Sequence, residues 1–254
     1  MGRELEPSVG WGVTHLLLRA WRGQPGGRAI AEAVAGFTAT SPNQVVAFSV
    51  LGGRADLGLV AVGPDVDALD RLTKLVLAGP VDAVDSFFSL TELSEYTSTE
   101  HDERARLEAA DVDDLEASLT AFRDRMASYR EARLHPRLPD KRLIAFYPMS
   151  KTRTPGANWY ELPFEERKAM MRGHATVGRR YSGRILQLIT GSTGLDDWEW
   201  GVTLLADDPV AIKEIVYEMR FDPVSATYGE FGSFWVGLVM PVGEALARSG
   251  LLDA

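Results

Sequence analysis

The chain repeats itself. Two stretches, PDVDALDRLTKLV (64–76) and DDPVAIKEIVYEM (207–219), each join a capping Asp to an amphipathic helix, and each follows a pair of β-type runs. In the first half Val9 to Trp21 reads as a strand, and Ile30, Val34 and Phe37 lie at helical spacing between Gly26 and Phe37. Gln44 to Leu51 and Leu57 to Val62 form a hairpin across GGRAD, Asp65 starts a helix ending at Leu77, and Ser86 to Thr97 reads as a strand. The second half repeats the order: LIAFYPMS, a helix from Pro163 to Tyr181 stopped by Gly183, the runs ILQLIT and WEWGVTLLA, the Asp208-capped helix from Pro209 to Met219, and GSFWVGLVMP. Each half is therefore βαββαβ. The pattern predicts an α+β chain of two ferredoxin-like halves, residues 1–100 and 141–254, of the dimeric α/β barrel type. In the connecting segment 101–140, Leu115, Leu119, Phe122 and Met126 predict a single helix.

Composition excludes several classes of function. The 27 basic and 36 acidic side chains leave a net charge of −9, which repels phosphate backbones and anionic lipid, so neither nucleic acid nor a membrane is expected as partner. The absence of cysteine excludes a disulfide framework, a thiolate-held metal and a cysteine nucleophile. No run approaches the ~18 apolar residues of a membrane span, and MGRELEPSVGWG carries charge and proline where a secretory leader needs an apolar stretch. A cytoplasmic location is the expectation. P-loop, dinucleotide and nucleophile-elbow motifs are all missing.

Four histidines are present, and their positions separate them. His15 falls in the first strand, His101 in a polar run and His135 beside Pro136, all positions that read as structural or solvated. His174 instead shares the stripe Met170, His174, Val177, Tyr181 of a helix, with Gly173, Ala175 and Gly178 as small neighbours. Such a ring points toward the core, either bonded to a carbonyl or as an axial ligand to haem iron, for which neutral imidazole is a natural donor. Gln187 interrupts the apolar strand ILQLI, so its amide bonds a backbone group or faces a ligand cavity. Tyr147 lies near a strand end. Lys151, Arg153, Arg133 and Arg220 could meet an anionic ligand, although solvated charge is the ordinary fate of such residues.

YPMSK (147–151), NWY (158–160), EERKAMMRGHATVGRRYSG (165–183), GSTGLDDWEWGVTLLADD (191–208) and VYEMRFDPVSATYGEFGSFWVG (216–237) together resemble the coproheme decarboxylases, the peroxide-dependent haem synthases of the chlorite dismutase-like superfamily. The likeness is dense from Arg133 onward and looser before it. It implies a haem site in the C-terminal half, with His174 as the iron ligand, Tyr147 as the redox-active residue and Gln187 on the opposite face. It further implies that Arg133, Tyr147, Pro148, Met149, Ser150, Lys151, Gln187, Arg220 and Ser225 contact the substrate. The implied reaction oxidises two propionates of iron coproporphyrin III to vinyl groups with hydrogen peroxide, giving haem b. The implied assembly is a homopentamer, in transient contact with the ferrochelatase that supplies the substrate.

Chlorite-degrading relatives carry arginine where this chain has Gln187. Departures from the commonest pattern are His174-Ala175 for HG, and Phe221-Asp222-Pro223 for FDE, the latter altering the loop that carries Ser225. Three other readings are a chlorite dismutase-like haem peroxidase, a haem-binding or haem-transfer protein with no use for Tyr147, and a cofactor-free monooxygenase with no use for His174. YPMSK together with the His174 helix favours the decarboxylase.

Overall fold

A computed structural model describes residues 4–251 and 253. Its N-terminal half runs β1 (Gly12–Ala20), α1 (Gly27–Thr38), β2 (Gln44–Val50), β3 (Leu57–Gly63), α2 (Val66–Leu77) and β4 (Val81–Thr91). Two helices follow, α3 (Glu100–Ala109) and α4 (Leu115–Leu134). The C-terminal half holds β5 (Leu143–Lys151), the short pair β6 (Arg153–Thr154) and β7 (Ala157–Asn158), a 3-10 turn at Trp159–Glu161, α5 (Phe164–Arg179), β8 (Ile185–Gly191) and β9 (Trp200–Ala206). It ends with α6 (Pro209–Met219), α7 (Pro223–Tyr228), β10 (Gly229–Phe231), β11 (Trp235–Val239) and α8 (Val242–Ser249).

The repeat is visible in the pairing. In the first half the order is β4-β1-β3-β2, in the second β11-β5-β9-β8, the same order for corresponding strands, and every pairing is antiparallel. The halves join at both edges, β11 to β2 and β4 to β8, so the sheet closes on itself as a barrel. Closure removes the open edges that a ferredoxin-like sheet would otherwise present. The repeated aspartates act as the sequence implies: Asp65 accepts from the Asp67 amide and Asp208 from the Val210 amide.

Alternation along the strands sorts side chains into layers. From β1, Val13, His15 and Leu17 point into the barrel with Phe48, Phe87, Ile144, Phe146 and Leu205, whereas Leu16 and Leu18 pack outward under α1, α2 and α8. Phe48 lies flat across Gly58 and Gly237 of the flanking strands, where any Cβ would overlap its ring. On the second half, Leu143, Ala145, Ile185 and Leu204 pack against Tyr181, Ile212 and Ile215. No helix among the described residues is long and apolar enough to cross a membrane.

Several expectations need correcting. β4 covers Val81–Thr91 rather than 86–97: its VDAVD start hides the strand behind two aspartates, yet Val81 pairs with Ala20 and Ala83 with Leu18. The single connecting helix is two, because Asp111 adopts a left-handed φ of 50° and Asp114 caps a new helix through the Ala117 amide. Leu107, Leu119 and Phe122 are buried on the pair, which Arg123–Glu100 at 2.8 Å and Arg104–Glu116 at 3.3 Å bridge. α7, β10 and α8 lie outside the expected elements, although Pro241 before an amphipathic VGEALARS and Gly250 at φ 88° after it mark α8.

His15 is fully enclosed, stacked on Phe146 at 3.9 Å between centroids, with Nε2 2.8 Å from Thr203 Oγ1 and no partner for Nδ1. Burial pulls its pKa from 6.5 to about 3. The unfolded chain takes up a proton near 6.5 while the folded one refuses it until about 3, so stability falls as pH drops through that interval. Between pH 7 and pH 5 this group alone should remove about 2 kcal/mol from the unfolding free energy. Urea titrations at both values check it: His15→Leu should lose that much less than the parent chain over the same step.

Candidate functional site

On the second half the outer face of β5, β9 and β8 is only partly covered, leaving a cavity of about 800 Å³ under α5, α6 and α7. Register sets out its floor. Tyr147 and Ile189 both pair with Val202, Met149 and Gly191 both pair with Trp200, and Gln187 pairs with Leu204. Tyr147, Met149, Lys151, Gln187 and Ile189 line the cavity, as does Arg133 from the end of α4. Pro148 and Ser150 do not line it: strand alternation turns their side chains to the opposite face, where the Pro148 ring lies against Gly232 and Ser150 Oγ accepts from the Glu199 amide at 3.2 Å.

His174 hangs from the roof. α5 buries no residue in a core: of the stripe expected to point inward only His174 lines the cavity, with Met171 rather than Met170 beside it, while Tyr181, just past the helix, is buried in the core as expected. His174 Nδ1 lies 2.8 Å from Oδ2 of Asp222, whose side chain is 4% exposed. The same oxygen accepts from the Ser225 amide at 3.2 Å and caps α7. A carboxylate at Nδ1 fixes the ring's orientation and leaves Nε2 as its remaining donor atom. Ser225 and Arg220 also line the roof, with Arg220 at the C-terminal end of α6. Gln187 fits both halves of its expectation: it lines the cavity and donates from Nε2 to the Gly178 carbonyl at 3.4 Å.

Tyr147 is stacked on Phe234 at 4.3 Å with Phe231 edge-on at 6.0 Å, and among the described residues its hydroxyl has no hydrogen-bond partner. Burial pushes the phenol up to about 12. Lys151 is buried, its Nζ 5.0 Å from the Trp159 ring, and desolvation brings its ammonium down to about 8 against the opposing pull of Asp222 and Glu199. Arg133 donates from Nη2 to the Ile189 carbonyl at 3.2 Å and to the Glu92 carbonyl at 3.4 Å, and its buried Nε has no partner.

Several groups of the site carry no signal in the sequence: Glu92 and Glu199 line the cavity, and Asp222 stands behind His174. Glu199, 6% exposed, accepts from the Lys151 amide at 2.8 Å, from the Tyr160 hydroxyl at 2.5 Å and from Arg153. Glu92 accepts from the Trp200 indole at 3.0 Å, and burial raises its pKa. Asp222 stood in the sequence only as part of the FDP string; its 48-residue separation from His174 leaves no local signal of their contact. The other histidines stay apart from the cavity: His101 is exposed on α3, and His135 lies 2.9 Å from Glu131 at the end of α4.

Fold and site define a closed α+β barrel that carries a histidine-roofed ligand cavity in one of its two repeats. Residues 27–240 match the sequence profile of the chlorite dismutase family, and the chain belongs to that family. Two relatives, from Haloquadratum walsbyi and Halobacterium salinarum, bear names that assign heme binding provisionally; they are 41% identical over 93% of this chain and 44% identical over 76% of it. The chain spans only 40% and 37% of their lengths. Among solved structures, a heme-binding protein from Thermus thermophilus superposes with a TM-score of 0.73 at 33% identity, covering 98% of this chain and 100% of that one. A chlorite dismutase variant from Candidatus Nitrospira defluvii gives 0.71 at 16% identity over 96% of this chain and 97% of that one, a likeness of fold.

Asp222→Ala removes the partner of His174 and the cap of α7 together, and should lower the unfolding free energy by about 1–3 kcal/mol, read from urea titration. Ser225→Ala, which keeps the backbone amide that Asp222 caps, should leave it within about 0.5 kcal/mol.

Proposed function

We propose that this cavity binds an iron porphyrin through His174, and that the chain converts iron coproporphyrin III to haem b by peroxide-dependent oxidative decarboxylation. The observation that carries the reading is the His174–Asp222 pair, which offers the cavity a single oriented imidazole nitrogen. Among the described residues no three His, Asp or Glu side chains gather into a metal-ion site, so a metal held here would come with its remaining ligands, as it does in a macrocycle. The cavity volume lies in the ~300–1,000 Å³ range of ligand pockets, and the unpaired Nε of Arg133 is a donor awaiting an acceptor.

Bound iron porphyrin supplies the oxidising equivalents that it draws from hydrogen peroxide. The chain's own residues do the rest. Each propionate that becomes a vinyl group gives up carbon dioxide, a proton and two electrons, and one molecule of peroxide accepts those electrons. Lys151, Arg133 and Arg220 hold carboxylates by charge-assisted hydrogen bonds, and among the described residues Lys151 and Arg220 have no carboxylate in ion-pair contact. Tyr147 is suited to remove hydrogen from a propionate carbon, because a phenol surrenders its electron and proton together. Phe231 and Phe234 screen it from water. The amide of Gln187 lacks the positive charge that chlorite cleavage needs, which argues against a chlorite dismutase reaction.

The relatives' names favour a second reading, haem binding without turnover. Further parts of the proposal are a homopentamer and delivery of substrate by a coproporphyrin ferrochelatase.

Two variants test the proposal. His174→Ala should abolish the Soret band of the purified protein mixed with iron coproporphyrin, or shift it and weaken binding at least tenfold. Tyr147→Phe should bind with parent affinity and an unchanged spectrum, yet release no haem b when peroxide is titrated in and product masses are followed. A parent chain that binds but never decarboxylates supports the second reading instead.

A further inference from the structure

Three carboxylates border the cavity, and their environments differ. Glu199 is saturated by Lys151, Tyr160 and Arg153, and Glu95 is exposed, with Arg167 at 3.8 Å. Glu92 is different. Its Oε1 is fixed by the Trp200 indole at 3.0 Å, while Oε2 has no hydrogen-bond partner among the described residues. The carboxyl presses onto Gly191, where a Cβ would overlap Oε2, so the glycine makes room for it.

Its place on the floor is set by strand register. Gln187, Ile189 and Gly191 share one face of β8, so Glu92 over Gly191 and Gln187 flank Ile189 on either side. His174 lies on the roof above this floor. Of the two flanking groups, the amide cannot accept a proton from a weak acid, whereas the carboxylate can. We infer that Glu92 is the acid–base group of the cavity, its Oε2 taking the proton of hydrogen peroxide, or of another small acid, that enters the cavity beside it. The inference rests on the iron-porphyrin reading above.

In this step the H–O bond of peroxide breaks, the electron pair stays on the hydroperoxide anion, and the proton passes to Oε2, so that Glu92 becomes a neutral carboxylic acid. Burial favours that neutral form and makes the carboxylate a stronger base than an exposed glutamate; Glu95 adds to the effect, while the Trp200 hydrogen bond and Arg133 oppose it. The charged groups facing Glu92 are thus Arg133 from α4 and Glu95 from the segment after β4.

Cyanide is a suitable probe, because hydrogen cyanide must shed a proton to bind ferric iron and the binding is read optically without turnover. In haem-loaded parent protein the on-rate from stopped-flow Soret changes should fall as pH drops through the Glu92 titration. Glu92→Gln keeps an acceptor for Trp200 and should lower the plateau rate about a hundredfold and remove that pH step. Glu92→Asp, which retains the carboxyl with a shorter reach, should recover part of both. Infrared difference titration of the protein without haem should show a protonated-carboxyl band that is lost in Glu92→Gln. Parent-like cyanide rates and pH profile in Glu92→Gln, with the His174-dependent Soret band intact, overturn this inference alone. A parent chain that takes up no iron porphyrin overturns the proposed function and this step with it.

Discussion

Closure of the sheet is the constraint on which everything else depends. Each βαββαβ unit alone would leave two edges open, but β11 on β2 and β4 on β8 consume all four, and the inner faces fill with Phe48, Phe87, Phe146 and Leu205. The barrel interior is thus a packed core and not a binding site. Ligand space can exist only outside, between strands and helices. There the two repeats diverge: in the first, α8 brings Ala245 and Leu246 down beside α1 and α2 and completes a tight layer. In the second, α5 contributes no buried residue, and the uncovered face of β5, β9 and β8 becomes the cavity floor.

The same asymmetry explains the electrostatics of the site. A histidine packed inside the barrel, as His15 is, loses its ability to take a proton and serves as an apolar disc with one hydrogen bond. His174 is built oppositely, with its side chain 26% exposed toward a space and one nitrogen tied to a carboxylate that is itself 4% exposed. Orientation of an imidazole by a buried acceptor is the arrangement a ligand donor requires. Asp222 also starts α7, so the element carrying Ser225 and the ring on α5 are positioned by one oxygen atom.

Periodicity made the repeat legible because Asp65 and Asp208 cap their helices by local hydrogen bonds and the apolar spacing is local too. β4 was misplaced because its first residues owe their extended state to β1, a partner far back along the chain, and their own alternation includes Asp82 and Asp85. Of the site, Tyr147, Lys151, His174 and Gln187 stand in strings of distinctive composition, and the structure brings all of them to one cavity. Pro148 and Ser150 belong to the same string, yet a strand sends neighbours to opposite faces, so membership in the string does not put their side chains at the cavity. Glu92, Glu199 and Asp222 were missed for a different reason. Their partners lie far along the chain, and nothing in a neighbouring residue distinguishes them from solvated acids.

Net charge is a poor guide to such a cavity. The chain carries −9 overall, which over long range opposes an anionic ligand. Charges separated by more than a Debye length of about 8 Å at physiological salt are largely screened, whereas groups on a recessed wall act on a ligand at close range. On that wall Lys151 and Arg220 lack a carboxylate in ion-pair contact, Arg133 keeps one nitrogen unpaired, and Glu199 is already occupied by its own donors. Desolvation lowers the Lys151 ammonium to about 8, and the attraction of Asp222 and Glu199 offsets it only in part. A carboxylate arriving there would oppose that shift and favour the charged form. The acidic surface therefore repels polyanions that span many Debye lengths, while the recessed cations accept a small one.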